Sequence, residues 1–266
     1  MTKPHTKAVA VVTGGARGIG EACVRKFTAL GHPVAILDVN RELGQALADA
    51  LTSNGAQARF YDCDVADAAV VDSVAAQVQQ HMGAAGVLVS SAALIPNTES
   101  VMDMDLAAHD RMWRVNYHGT VHVCRSFGRQ MIEAGQGGCM VTLGSINSAL
   151  PMPLPAYNPG KAAIARLTQL LAAELGRHRI RVNSVGPTYV MTPQLQARID
   201  AGQRDLAKIM QLHAIDSLPT PADVADAIAF LCSAAARTIT GVLLPVDSGW
   251  GASATYMTYA GGVPWE

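Results

Sequence analysis

Charge is scarce in this chain: 15% of its 266 residues are Asp, Glu, Lys or Arg, and the formal net charge is -1. So thin a balance offers no basic field to nucleic acid or to an acidic membrane, and small-molecule chemistry fits it better. Long apolar runs are missing too, although half the residues are hydrophobic. No stretch reaches the roughly 18 apolar residues of a membrane span, and the opening Met-Thr-Lys-Pro-His-Thr-Lys lacks a signal-peptide core, so a cytoplasmic protein is expected. Cys23, Cys63, Cys124, Cys139 and Cys232 are odd in number and far apart, with no Cys-x-x-Cys. That spacing argues against a disulfide framework or a structural zinc and predicts reduced, mostly buried thiols. No repeat or low-complexity linker divides the chain, and its length suits one large α/β domain over 1–266.

What is present begins with a short valine-rich run over 7–12, then Thr13-Gly-Gly-Ala-Arg-Gly-Ile-Gly20, then an amphipathic stretch. This reads as strand, glycine turn and helix. Glycine at Gly14, Gly18 and Gly20 lets a backbone turn tightly and approach a pyrophosphate, which the helix N-terminus attracts. A second apolar run ends in Asp38, eighteen residues past Gly20. A carboxylate at that place accepts from both ribose hydroxyls of an adenosine and repels a 2'-phosphate, which favours NAD over NADP. Arg17 in the glycine loop is the counterweight, since an arginine there serves a phosphate; a plain turn aspartate before Asn40 is the alternative reading of Asp38.

The alternation continues with a helix over 42–52, a strand over 58–61, a helix over 67–81 and a strand over 87–89. Such spacing implies a parallel sheet covered on both faces, with ligands at the carboxyl ends of its strands. Asp64 then lies where an adenine would sit, and Ser90-Ser-Ala-Ala93 lines the crevice. One helix is expected from 105 to 133; it carries Asn116, which frees a main-chain carbonyl or holds a water. His118 and His122 share a helix face, but no third ligand stands at useful spacing, so packing is the better reading. Strand five over 139–143 leads to Ser145, strand six spans 180–185, and 191–218 lacks a sheet pattern and reads as a substrate lid. Thr220-Pro-Ala-Asp223 starts a further helix, and 238–247 supplies a seventh strand.

The stretch from Ser145 to Lys161 carries the chemistry. Tyr157 and Lys161 are four residues apart, so on a helix they share a face. A free phenol has a pKa of about 10, and a neighbouring ammonium favours the phenolate, bringing it nearer to working range. Ser145 then hydrogen-bonds an alcohol or carbonyl oxygen.

The order glycine loop, Asp38, Asp64, Asn116, Ser145, Tyr157, Lys161 resembles the short-chain dehydrogenase/reductase family over nearly the whole chain up to Asp247. The resemblance implies a single doubly wound Rossmann-type domain, with a seven-stranded parallel sheet, helices on both faces and a nicotinamide dinucleotide. It implies that Tyr157 is the acid/base, that Ser145 orients the substrate oxygen, that Lys161 binds the nicotinamide ribose and that Asn116 holds a relay water. Cofactor contacts implied with these are Gly14, Arg17, Gly18, Ile19, Gly20 and Asp38, then Asp64, Val65, Ser91 and Ala92, and past strand six Pro187, Val190 and Thr192. Thr192 resembles the residue that meets the carboxamide. The implied substrate pocket adds Asn147, Met152, Leu154 and Tyr189. Homotetramers, or dimers, are the implied assembly, with the Asn116 and Tyr157 helices at an interface. An epimerase or dehydratase that retains its dinucleotide, or a non-enzymatic dinucleotide sensor, is the alternative on the same fold.

Several positions depart from the family pattern. Ser90-Ser91-Ala92-Ala93 stands for Asn-Asn-Ala-Gly, Thr188 follows Pro187 where glycine is usual, and Asn158-Pro-Gly follows Tyr157. Ser145 precedes Tyr157 by one residue less than expected, which leaves Ser148 as a second candidate. The tail over 249–266 carries Trp250, Tyr256, Met257, Tyr259 and Trp265 with little regular pattern, and is expected to dock on a neighbouring subunit.

Overall fold

The computed structural model describes residues 7–95, 98–254 and 256. Strands β1 (Val9–Thr13), β2 (Val34–Asp38), β3 (Ala58–Asp62), β4 (Ala85–Ser90), β5 (Gly138–Leu143), β6 (Ile180–Pro187) and β7 (Leu243–Val246) form one sheet in the order 3-2-1-4-5-6-7. Every pairing is parallel. Successive side chains on a strand point to opposite faces, and the two apolar cores divide along that alternation. Ala10, Val12, Ile36, Val89 and Val141 face helices α1 (Gly18–Ala29) and α2 (Arg41–Ser53). Val9, Val11, Leu37, Leu88 and Met140 face α3 (Ala68–Met82) on the other side.

Between β4 and β5 stand α4 (Leu106–Trp113) and α5 (Gly119–Ala134). The single helix expected over 105–133 is therefore interrupted, and the interruption is one π-helical turn, Arg114–His118, centred on Asn116. Two contacts hold that turn: the Thr120 hydroxyl donates to the Asn116 carbonyl at 2.8 Å, and Gly119 sits against Val65. Such turns occur mostly as local insertions within α-helices, often at functional sites. Helix α6 (Tyr157–Leu175) follows β5, and the 191–218 stretch contains α7 (Pro193–Asp200) and α8 (Leu206–Met210). Helix α9 (Pro221–Cys232) starts with the capping box its sequence announces, Thr220 with Asp223, and packs beside α1. Strand seven is shorter than the expected 238–247, and a short helix α10 (Trp250–Ser253) opens the tail.

The chain doubles back at β1. From β1 it runs outward through β2 and β3, then α3 returns it to β4 on the opposite flank of β1. The carboxyl ends of β1 and β4 thus part company side by side, which opens a crevice at the sheet edge. Thr13, fully buried at the end of β1, bridges the two: its Oγ1 accepts from the Ser91 amide at 3.0 Å and the Ala92 amide at 3.1 Å. Replacing Thr13 by valine keeps the shape and removes the acceptor from two amides, so Thr13→Val is expected to lower the unfolding free energy by on the order of 2–4 kcal/mol. Thr13→Ser is expected to retain most of it. Urea unfolding of both variants decides the point, and a valine variant as stable as the parent would overturn it.

Candidate active site

The glycine turn is shaped by steric necessity at two places. Gly14 has φ +62°, and a β-carbon there would stand 2.8 Å from the Ala92 Cα; at Gly20 it would stand 2.0 Å from the Gly14 carbonyl oxygen. The first contact seats the turn on the chain leaving β4, and the second seats α1 on the turn. Helix α1 begins after an extended Arg17 with no side-chain cap, so no side chain of the cap residue competes for its first amides. An uncapped helix start behind a glycine turn suits a pyrophosphate, and a β-carbon added at Gly18 would stand 3.9 Å from the Thr192 methyl group. Arg17 itself is exposed and Ile19 half-buried.

Asp38 closes the end of β2. Its Oδ2 accepts from the Ala16 amide of the glycine turn at 3.0 Å and its Oδ1 from the Asn40 amide at 2.9 Å. The residue therefore does act as a turn aspartate, and at the same time it ties β2 to the loop where a ribose would lie. Asp64 is exposed past β3, with Oδ1 on the Ala66 amide at 2.9 Å, and Val65 beside it is buried. These residues fit a dinucleotide in shape and donor set. They include Ser91 and Ala92, whose amides Thr13 fixes.

The Ser-Ser-Ala-Ala departure is accommodated by a hydroxyl pair. Ser90 Oγ donates to Thr120 Oγ1 at 3.2 Å, joining β4 to α5. Asn116 uses both ends of its side chain on one residue: Oδ1 accepts from the Leu94 amide at 2.7 Å, and Nδ2 donates to the Leu94 carbonyl at 3.1 Å. The side chain therefore clasps the chain leaving β4, and any water near it is left to the main-chain carbonyl.

Ser145 lies just past β5 and is buried; Tyr157 opens α6 and is half-buried. The Ser145 hydroxyl acts on the phenol in the direction that lowers its pKa. Lys161 is buried one turn on, with Nζ 5.3 Å from the Tyr157 ring centroid and 2.5 Å from the Leu143 carbonyl to which it donates. Burial pushes the Tyr157 phenol up to about 12 against the lowering effect of the Ser145 hydrogen bond, and burial pulls Lys161 down to about 8. The expectation that the ammonium draws the phenol down is overtaken here, because desolvation opposes the charged form of each group.

Ser148, the second serine candidate, is committed elsewhere. Its hydroxyl donates to the Lys161 carbonyl at 2.8 Å and accepts from the Ser145 amide at 3.2 Å, pinning the turn to α6. Asn147, expected in the substrate pocket, is buried and turned onto Ser145, with Nδ2 3.0 Å from the serine oxygen. Met152 and Leu154 lie half-buried on the loop before α6. Past β6, the Pro187 carbonyl lies 3.4 Å from Ser145 Oγ, Val190 is buried, and Thr192 caps α7 through the Leu195 amide at 3.2 Å. Tyr189 stacks on Trp250 with centroids 5.8 Å apart, and His213 packs on the other ring contact of Trp250 at 5.7 Å. Trp250 thus packs within its own chain, unlike the docking expected of the tail, whose Met257, Tyr259 and Trp265 lie outside the described residues. His213 was not legible as a site neighbour; its one signal was Thr188 in place of glycine, whose hydroxyl meets His213 Nε2 at 3.2 Å.

The other candidates are structural. His122 Nδ1 bonds the Val65 carbonyl at 2.9 Å, and among the described residues no three His, Cys, Asp or Glu gather as a metal site. All five cysteines are free, and burial pushes the thiols of Cys23, Cys63 and Cys124 up to about 12. No helix among the described residues is long and apolar enough to cross a membrane.

An open parallel sheet with a glycine turn at its switch point defines a dinucleotide-binding, Rossmann-type protein. Residues 14–251 match the family model described as enoyl-(acyl carrier protein) reductase. Galactitol 2-dehydrogenase of Rhizobium johnstonii is 36% identical over 245 residues, covering 91% of this chain and 94% of the relative. The (-)-isopiperitenol/(-)-carveol dehydrogenase of Mentha piperita is 37% identical, with 91% and 92% covered. A solved oxidoreductase of the short-chain dehydrogenase/reductase family from Burkholderia thailandensis superimposes with a TM-score of 0.83 at 33% identity, with 92% and 93% covered. The chain belongs to the short-chain dehydrogenase/reductase family, whose members use nicotinamide dinucleotides.

The Lys161 shift has a thermodynamic signature. Its folded pKa of about 8 lies below the unfolded value of about 10.4, so between those pH values the unfolded chain holds a proton that the folded chain has released. Stability conferred at this position therefore rises with pH through that window. Relative to Lys161→Met, the parent is expected to gain about 2 kcal/mol from pH 8 to pH 10, while the Tyr157 contribution cancels because both proteins carry it. Urea unfolding at stepped pH measures the difference; a flat difference contradicts the shift.

Proposed function

We propose that this chain is an NAD-dependent dehydrogenase that interconverts a secondary alcohol and its ketone, with Tyr157 as the acid/base. The observation that carries the reading is the placement of Ser145 just past β5 and Tyr157 at the start of α6, close enough for the serine hydroxyl to act on the phenol, with Lys161 Nζ 5.3 Å from the Tyr157 ring centroid. Three hydrogen-bonding groups converge where the crevice opens. That set suits moving one proton to or from an oxygen held by the serine.

The dinucleotide would be held by the glycine turn, Asp38 and the chain past β6 through Thr192, and when bound it supplies the hydride acceptor or donor. Ser145 donates to the substrate oxygen. Tyr157 Oη takes the alcohol proton on oxidation and returns it on reduction. A phenol held up at about 12 is a reluctant acid, and its phenolate, once formed, is a strong base whose charge an ammonium at Lys161 offsets. Asp38 supports NAD over NADP because its carboxylate ends β2 beside the glycine turn and would repel a 2'-phosphate. The relatives' names span a polyol and a terpene alcohol, which matches a secondary alcohol as the common denominator. Assembly of identical subunits belongs to the same proposal, and Leu170 on α6 and Leu106 on α4, both exposed, are apolar surface for it.

Tyr157→Phe removes the transferable proton and leaves the fold, so kcat is expected to fall by about 10²–10⁴-fold while NADH still binds, read by fluorescence titration. Near-parental turnover would rule out Tyr157 as the acid/base. Asp38→Asn keeps the size and removes the charge; the NAD to NADP ratio of kcat/KM is expected to drop by about tenfold or more, which corresponds to about 1.4 kcal/mol. An unchanged ratio would overturn the cofactor preference.

A further inference from the structure

Ser145 has one hydroxyl proton and two lone pairs, and the direction of that proton is set from a distance. The chain of causes starts at the Leu150 carbonyl, which can only accept. Asn158 Nδ2 lies 2.8 Å from that oxygen and 3.2 Å from Asn147 Oδ1, so both of its amide hydrogens are given away. Turning the Asn158 amide over would set its oxygen against two acceptors, so the orientation is forced. Asn147 must then present its oxygen to Asn158 and its amide group to Ser145, where Nδ2 lies 3.0 Å from Oγ. The Asn147 main-chain amide also points at Oγ, at 3.2 Å. Two donors fill the two lone pairs of a hydroxyl oxygen, and the proton is left facing outward. Its protein acceptor, the Pro187 carbonyl, is 3.4 Å away, a weak bond at that length. Tyr157 and a substrate oxygen are its remaining targets.

We propose that Asn147 and Asn158 are positioning residues that fix the Ser145 hydroxyl as a donor toward Tyr157 and the substrate oxygen. The inference rests on the dehydrogenase reading of the site. Neither asparagine need touch the reactants: the relay acts through the serine. Its value to the reaction lies in charge. The substrate oxygen becomes more negative when the carbonyl carbon is reduced or the alcohol loses its proton, and a donor held ready for it needs no reorganisation at that moment. The same donor favours the phenolate form of Tyr157. A serine turned the other way would offer lone pairs to both oxygens and oppose both changes. Asn158 is one of the residues at which the chain departs from the small helix formers expected after the tyrosine, and the relay gives that departure a purpose.

The test inverts the relay without emptying it. Asn147→Asp keeps the shape and the bond from Asn158, but places a carboxylate against Ser145 and draws its proton inward. Asn158→Asp acts one step further away by forcing the Asn147 amide to turn over. Asn158→Ala cuts the link without inverting it. With alcohol as substrate, both Asp variants are expected to lose about 10²-fold in kcat with the KM for NAD within twofold, and their kcat limb should move to higher pH by about one unit. Asn158→Ala should lose clearly less than Asn158→Asp. NADH binding and near-ultraviolet circular dichroism report the fold, and if Asn158→Asp misfolds, Asn147→Asp decides alone. An alanine variant as damaged as the aspartate one, or Asp variants with the parental pH limb, overturns the proposal, since a purely structural role is indifferent to polarity. Tyr157→Phe run alongside separates the two failures: if it stays active the underlying reading falls, and if it is silent while Asn147→Asp turns over like the parent, only the relay falls.

Discussion

One hydroxyl at the end of β1 holds the two halves of the sheet in the register that makes a site. Thr13 Oγ1 accepts two consecutive amides from the chain leaving β4, where β1 and β4 send their continuations apart. Those amides are partly buried just past the end of β4, so without the threonine they would be costly donors at the crevice floor. With it, the chain past β4 is close enough for Gly14 to rest on Ala92. Everything a dinucleotide would meet is placed relative to that contact: the uncapped start of α1, Asp38 through its bond to Ala16, and the Asn116 side chain through Leu94.

The chemistry, by contrast, is built from groups that the fold has to tolerate. Lys161 is buried, donates to the Leu143 carbonyl and has its pKa pulled down, and the phenol beside it is pushed the opposite way. Desolvation opposes the charged ammonium and the charged phenolate alike, so it favours the neutral pair over the ion pair. A proton moving off the phenol therefore creates the charge that the lysine lacks a partner for. Burial thus works against either charge formed alone, whereas an ammonium and a phenolate formed side by side would offset one another.

Much of this was legible because it is local. Tyr157 and Lys161 are held one turn apart by helix geometry, Ser145 follows directly from the end of β5, and the glycine turn follows from β1. The capping box at Thr220 and Asp223 is likewise a pattern within four residues. What escaped depends on residues brought together from afar. The π turn at Asn116 owes its placement to Leu94 and Val65, which no helical periodicity can report. Ser90 takes over with Thr120, thirty residues on, a support that its own neighbours in sequence do not suggest. The direction of Asn147 depends on Asn158 and on a carbonyl at Leu150, so its type was visible and its role was not. The shift of Tyr157 went the other way from the sequence argument because spacing reveals a neighbouring charge and says nothing of desolvation.

The segment read as a lid turns out to be clasped at both ends. At its entry, Thr192 caps α7 above Gly18, and Thr188 meets His213. At its exit, the Ile215 amide donates to the Ser248 carbonyl at 2.9 Å and the Ser253 hydroxyl to the Leu212 carbonyl at 2.7 Å. His213 is locked between these, with Nδ1 on the Ile209 carbonyl at 2.8 Å. A carbonyl can only accept, so Nδ1 carries the proton and Nε2 accepts from Thr188 in the neutral ring. Trp250 makes ring contacts with both His213 and Tyr189, so the 191–218 segment, the exit of β6 and the start of the tail share one aromatic junction. Pro187 at that same exit also faces Ser145, its carbonyl 3.4 Å from the serine Oγ. The carbonyl that faces Ser145, the hydroxyl that meets His213 and the ring that stacks on Trp250 thus lie on a single stretch of backbone, 187–189.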